Sequence, residues 1–143
     1  MTDSVLDLFR KSGALLEGHF RLSSGLHSDK YLQSALVLQY PEFASILGEG
    51  IAERTRHLDP TVVLSPALGG IVIGQETGRA LGVRAIFAER QEGKLTLRRG
   101  FSLSPASLAS MRLANERSTA RSRSDASTPA AGGACTAAVT GDG

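Results

Sequence analysis

The residues best suited to chemistry lie between Val62 and Gly74, in the run VVLSPALGGIVIG. A β-branched run, a loop containing Pro and Gly, and a small-residue helix start form the layout of a backbone cradle for an anion. After a parallel strand, free N–H groups at the next helix's N-terminus face the carboxyl edge of the sheet, where phosphate or pyrophosphate is commonly held. The expected ligand is therefore phosphorylated. Gly69 and Gly70 are expected to let the backbone approach it closely, since neither carries a Cβ and either can take a positive φ. An ordinary βα turn of an α/β domain would read the same way, and this segment alone leaves both readings open. Four cations follow, Arg90, Lys94, Arg98 and Arg99; taken alone they read as a solvated charged hairpin. His19, His27 and His57 lack a metal-like constellation of neighbours, so no metal ligand is assigned among them. His19 and His57 read as structural or exposed, and His27, in a polar loop, is kept as a candidate for substrate contact.

Elements of a single domain must position these groups. The chain has 143 residues, 41% hydrophobic and 21% charged, which is ordinary for one globular domain. Of its 16 basic and 14 acidic residues, four and three respectively lie from Ser104 onward, leaving the remainder nearly neutral. Nothing in that balance suggests nucleic acid. The one cysteine, Cys135, has no partner for an internal disulfide, and the N-terminus lacks the basic-then-apolar pattern of a secretory signal, so a reducing cytoplasm is expected. No apolar run reaches the roughly 18 residues of a membrane span.

Residues 1–103 read as alternating elements. Asp3 or Ser4 caps a first helix with apolar Val5, Leu8 and Phe9, ending at Gly13. Phe20–Leu22 and Tyr31–Leu32 read as short extended pieces around a polar loop, Ser23–Lys30. A second helix starts after Pro41, turns Phe43, Ile46, Leu47 and Ile51 inward, and stops before Pro60. A central strand at Thr61–Leu64, a helix from Gly70 to Leu81 and a strand at Val83–Ala88 follow. Lys94–Arg98 and Phe101–Leu103 read as a hairpin with Arg99-Gly100 at its turn. Strand, helix, strand in series implies an α/β fold with a parallel sheet flanked by helices.

From Ser104 to Gly143 the composition shifts to Ala, Ser, Arg, Thr and Gly, with no aromatic residue, no Ile and no Lys. Leu108, Met111, Leu113 and Val139 are its only large aliphatic residues, too few to offset the entropy of ordering the segment. The expectation is a domain over 1–103 and a mostly disordered tail over 104–143, with at most a transient helix at Leu108–Arg117.

Four segments of residues 1–103 resemble the orotate phosphoribosyltransferases, of the type I phosphoribosyltransferase fold. FRLSSGLHSDKYL, Phe20–Leu32, is similar to the family's orotate-binding hood, and SPALGG, Ser65–Gly70, to its pyrophosphate loop. AERQEGKLTLRRGF, Ala88–Phe101, is similar to the family's strand and mobile catalytic loop, and the spacing from LDLFRKSGALLEGHF onward matches as well. The resemblance implies transfer of a phosphoribosyl group from phosphoribosyl pyrophosphate to orotate, giving orotidine 5′-monophosphate and pyrophosphate with Mg²⁺, in pyrimidine biosynthesis. It implies that Ala67, Leu68, Gly69 and Gly70 bind the pyrophosphate, that Arg90 and Lys94 contact it, and that Lys94 is also catalytic, arriving on a loop that closes over the partner subunit's site in a homodimer. Arg suits the role as a planar fork, and Lys as a point charge on a flexible stem. Tyr31 and Leu32 would place a ring and backbone groups against the orotate.

Two departures from the family pattern follow. Ser23 stands where some members carry a substrate-reaching lysine. More consequentially, the fold needs a further strand ending in two adjacent acidic residues and then a Thr/Gly-rich loop for the 5′-phosphate. Here the chain reads ASLASMRLANERSTARSRSDAST, in which neither Glu116 nor Asp125 has an acidic neighbour. The fold is therefore expected to be incomplete, with a tail of frameshifted or otherwise replaced sequence, and the chain inactive. Alternatives are a non-catalytic remnant serving as a binding or dimerisation module, or a purine phosphoribosyltransferase or pyrimidine-operon regulator of the same fold. The SGLHS and ERQEGKLTLRRGF segments fit orotate enzymes better than the last two.

Overall fold

The computed structural model describes residues 4–21, 25–105, 107 and 138–140. Helix α1, Val5–Lys11, begins at Ser4, whose hydroxyl accepts from the Asp7 amide while the Asp7 carboxylate accepts from the Ser4 amide. This reciprocal capping box satisfies two orphan donors and makes Ser4, not Asp3, the cap. Strands β1, Leu15–Arg21, and β2, His27–Leu32, form an antiparallel hairpin. The extended pieces are thus longer than expected, and His27–Lys30, read as loop, is strand. Helix α2, Ser34–Leu38, was not anticipated: five residues are too short to show a period. Leu8, Ala14 and Val37 pack α1 and α2 together, with Phe43 and Leu47 of the next helix against them.

Helix α3, Pro41–Thr55, starts with Pro41 in its first turn and runs into a 3₁₀ turn, Arg56–Leu58. Its buried face is Ala44, Gly48 and Ala52, whereas Ile46 is exposed. Phe43 and Leu47 do turn toward the core, as expected, but a close helix crossing selects small residues and leaves Ile46 outside. A Cβ on Gly48 would lie 2.7 Å from the Cβ of Glu76 on helix α4, Ile71–Leu81.

Strand β3, Val62–Pro66, pairs parallel with β4, Arg84–Gln91, and α4 is the crossover between them. Gly74 and Gly78 of α4 lie on the sheet face that carries Val63, Ser65 and Ala85; the opposite face gathers Val62, Leu64, Ile86 and Ala88 with Leu95, Leu97, Phe101 and Leu103. Strand β5, Lys94–Leu97, turns back antiparallel on β4 through Glu92-Gly93, whose φ values of 47° and 79° match the mirror-image turn of two-residue hairpins. The Arg99-Gly100 turn is present too, with φ 63° and 75° and the Phe101 amide on the Arg98 carbonyl. Phe101–Leu103 nevertheless forms no strand, because β5 is already spent on β4 and these residues fold onto the apolar sheet face instead. Among the described residues no helix is long and apolar enough to cross a membrane.

Two expectations about the sheet and tail change. Strand β6, Ala138–Thr140, pairs antiparallel with β3, so the described sheet, in the order β5-β4-β3-β6, is mixed rather than parallel. At these three residues the tail is ordered strand and not disordered chain. An uncovered β3 edge leaves backbone donors and acceptors unpaired, and any short extended segment can satisfy them whatever its side chains. Ser107 is also buried, its amide and hydroxyl both bonded to the Ser104 hydroxyl. The expected disorder and transient helix of 108–137 lie outside the described residues.

Candidate functional site at the carboxyl edge of the sheet

Parallel pairing puts the carboxyl ends of β3 and β4 at one edge, with Pro66 level with Ala88. The Ala67 amide extends the ladder by one bond, to the Ala88 carbonyl at 2.8 Å. The chain then turns through Leu68-Gly69-Gly70 into α4, with a cis Ala67–Leu68 peptide. The Gly70 and Ile71 amides are satisfied within the turn, by Pro66 and Leu68 carbonyls at 2.9 and 3.1 Å. The Leu68 and Gly69 amides donate to no acceptor among the described residues. Two backbone donors at the start of a helix, on an exposed turn, are what an anion requires.

The glycines serve differently from expectation. Gly70 is the N-cap of α4 at φ −87°, and Gly69 is likewise absent from the residues with positive φ. Gly69 would find open space around an added Cβ. Its backbone is not left-handed, and an N-cap glycine leaves the first turn of α4 free of a capping side chain.

Arg90 lies two residues beyond Ala88, roughly 7 Å past the level of the loop at the strand rise of about 3.3 Å. Lys94 lies opposite Gln91, one step further out. Cross-strand partners share a face, so Lys94, Gln91, Glu89 and Thr96 lie on the α4 side, while Arg90 shares the other face with Leu95. The two cations thus leave the hairpin on opposite sides. Lys94 borders an open groove with Gln91, Glu92 and Thr96, and its ammonium makes no ion pair or hydrogen bond among the described residues. Arg90 turns back on its own hairpin and donates to the Gly93 carbonyl at 2.7 Å.

Arg98 and Arg99 are occupied elsewhere. Glu89 accepts from Arg99 Nε and Nη2 at 3.0 and 2.9 Å, with Arg98 at 4.0 Å. That hydrogen bonding and charge hold the Glu89 carboxyl below its ordinary pKa and raise that of Arg99. Sequence reasoning missed this clamp, although an acid beside Arg90, ten residues before an arginine pair across a tight turn, was a signal for it. Tyr31 is half-buried beside Phe20, ring centroids 5.8 Å apart, and Leu32 is exposed. Both sit on the β1–β2 hairpin, and no hydrogen bond joins them to the 67–70 loop among the described residues. No three His, Cys, Asp or Glu side chains there converge as a metal cage.

No protein-family profile matches the chain. Individual relatives do. Over 104 residues it is 56% identical to the orotate phosphoribosyltransferase of Chlorobium phaeobacteroides strain BS1, covering 73% of this chain and 54% of that protein. Over 103 residues it is 52% identical to that of Pelotomaculum thermopropionicum, covering 72% and 54%. The chain is a homologue of the orotate phosphoribosyltransferases. It spans about half the length of the curated relatives it matches. Among solved structures, the orotate phosphoribosyltransferase of Aeropyrum pernix aligns at TM-score 0.52 and 22% identity, covering 65% of this chain and 56% of that one. Leishmania donovani UMP synthase aligns at 0.59 and 16%, covering 76% and 27%. At those identities the structures show the shared fold: helices on a small sheet, part of the type I phosphoribosyltransferase architecture.

Proposed function

We infer that this orotate phosphoribosyltransferase homologue carries the diphosphate-binding part of a phosphoribosyltransferase site and completes no turnover by itself. In this reading residues 1–103 are the partial domain and 104–143 a tail outside it. Relatedness to orotate enzymes above 50% identity, joined to two unused amides at the 67–70 turn, carries the reading. The reaction is attack of orotate on the anomeric carbon of phosphoribosyl pyrophosphate with departure of pyrophosphate. Its cationic ribose and anionic leaving group call for positioning and for stabilised negative charge.

Leu68 and Gly69 amides would hold the diphosphate, with Lys94 approaching from the α4 side of the hairpin. Arg90 would first have to release the Gly93 carbonyl. Tyr31 and Leu32 belong to the base-binding hood. Mg²⁺ would accompany the phosphoribosyl pyrophosphate and would supply positive charge to the departing diphosphate; among the described residues no three His, Cys, Asp or Glu side chains converge to hold it. A cytoplasmic homodimer, with Lys94 serving the neighbouring subunit, is part of the same reading. From Ser104 to Gly143 the sequence holds no two adjacent acidic residues of the kind that would face the ribose hydroxyls. That last point favours ligand binding without chemistry over an active enzyme.

Calorimetric titration with phosphoribosyl pyrophosphate and Mg²⁺, together with orotate absorbance, tests both halves. Weak binding is expected, several kcal/mol short of a complete site, with no orotidine monophosphate formed and little change on Lys94→Ala. Micromolar affinity with measurable product would overturn the proposed inactivity.

A further inference from the structure

The phosphoribosyl reading gives His19 no task and His27 only a candidate contact with substrate. The β1–β2 ladder slips between Glu17 and Phe20, so that Gly18 and His19 together face Asp29 where a regular ladder would place one residue. Alternation from Arg21, the residue paired with His27, turns His19 to the side that His27 occupies. Nε2 of His19 and Nδ1 of His27 meet at 2.5 Å, with ring centroids 4.7 Å apart and ring planes at 75°. Both residues are exposed, so an ion from solvent can reach the point between them. Two ring nitrogens in contact can share one proton, or both can face a cation with their lone pairs.

We propose that His19 and His27 form a two-imidazole site for a divalent transition ion of the Zn²⁺, Ni²⁺ or Cu²⁺ class. Imidazole is a preferred donor for these ions, while Mg²⁺ and Ca²⁺ select oxygen. Zinc–nitrogen bonds of about 2.0–2.1 Å in a tetrahedral site place two ligand nitrogens about 3.3 Å apart. From 2.5 Å the rings therefore open by about 0.8 Å, a small rotation for exposed side chains. No third protein ligand converges there among the described residues, so water fills the remaining positions and the site is open rather than structural. Each ring must present an unprotonated nitrogen to the ion. The ion would tie β1 to β2 at the end of the hairpin bearing Arg21 and His27.

Titrating the full chain with Zn²⁺ and with Ni²⁺ at neutral pH, by calorimetry, tests the site, and imidazole nitrogen NMR of the unmodified chain locates it. One ion per chain is expected, with the His19 and His27 ring nitrogens responding together. His19→Ala and His27→Ala should each weaken binding at least about tenfold, since even the outer partners of metal ligands matter at that level, while His57→Ala leaves it unchanged. Absence of saturable binding, or binding that survives both substitutions and in the parent chain moves neither ring's signals, would overturn the two-imidazole site.

Discussion

Glu89 shows how one side chain sorts the cations of the hairpin. By holding Arg99 through two bonds and drawing in Arg98, it leaves Lys94 as the cation facing the groove on the α4 side. Its folded pKa lies below the ordinary 4.5, chiefly through the Arg99 hydrogen bond. The pair's stabilisation is therefore fully present above that ordinary value and is lost as pH falls through the lowered folded value. Melting curves of Glu89→Gln and the parent should differ slightly at neutral pH and converge as pH falls below 4.5. The gap should also shrink in high salt, since the arginines are solvent-exposed. A gap that widened toward acid would mean that Glu89 acts through something other than these ion pairs.

At the scale of elements, α4 is seated by glycines. An alanine Cβ at Gly74 would come within 2.8 Å of the Ser65 Cβ on β3. Alanine gains up to about 1 kcal/mol of helix propensity over glycine, but overpacking a tight contact costs about 1–3 kcal/mol. Gly74→Ala should therefore destabilise the chain in urea unfolding and displace the turn at 67–70 that α4 continues. Gly50→Ala is the contrasting case. There the nearest atom is the Arg54 Nη1 at 3.6 Å, the end of a flexible side chain, so propensity should dominate and raise the unfolding midpoint. Equal effects at the two positions would refute the packing account.

Over the whole molecule, the sheet is closed on one side by β5 and on the other by β6 from the far end of the sequence. Three residues cover the edge of the most apolar strand, Val62–Leu64. Removing 138–143 should uncover that edge and increase self-association, measured by light scattering and sedimentation. A deletion variant that sediments as the parent does would show that β6 is not what protects β3.

Where a pattern was local, sequence alone determined it. A cap at Asp3 or Ser4, of which the fold uses Ser4, the βα layout around SPALGG and the Arg99-Gly100 turn each depend on residues within a few positions of one another, and each is present. The kinship with orotate enzymes was likewise legible in four short segments, each a run of contiguous residues, and a relative matches over 104 residues at 56% identity. Tertiary packing decided the rest. Ile46 gave way to Ala44, Gly48 and Ala52 at the helix crossing, since only the distance to α4 selects small side chains. The β4–β5 pairing set Arg90 and Lys94 on opposite faces, an outcome of cross-strand register that their four-residue spacing does not encode. The Glu89 clamp, the His19–His27 contact and the β6 edge all join residues on different strands, and only the folded chain brings such groups within bonding distance.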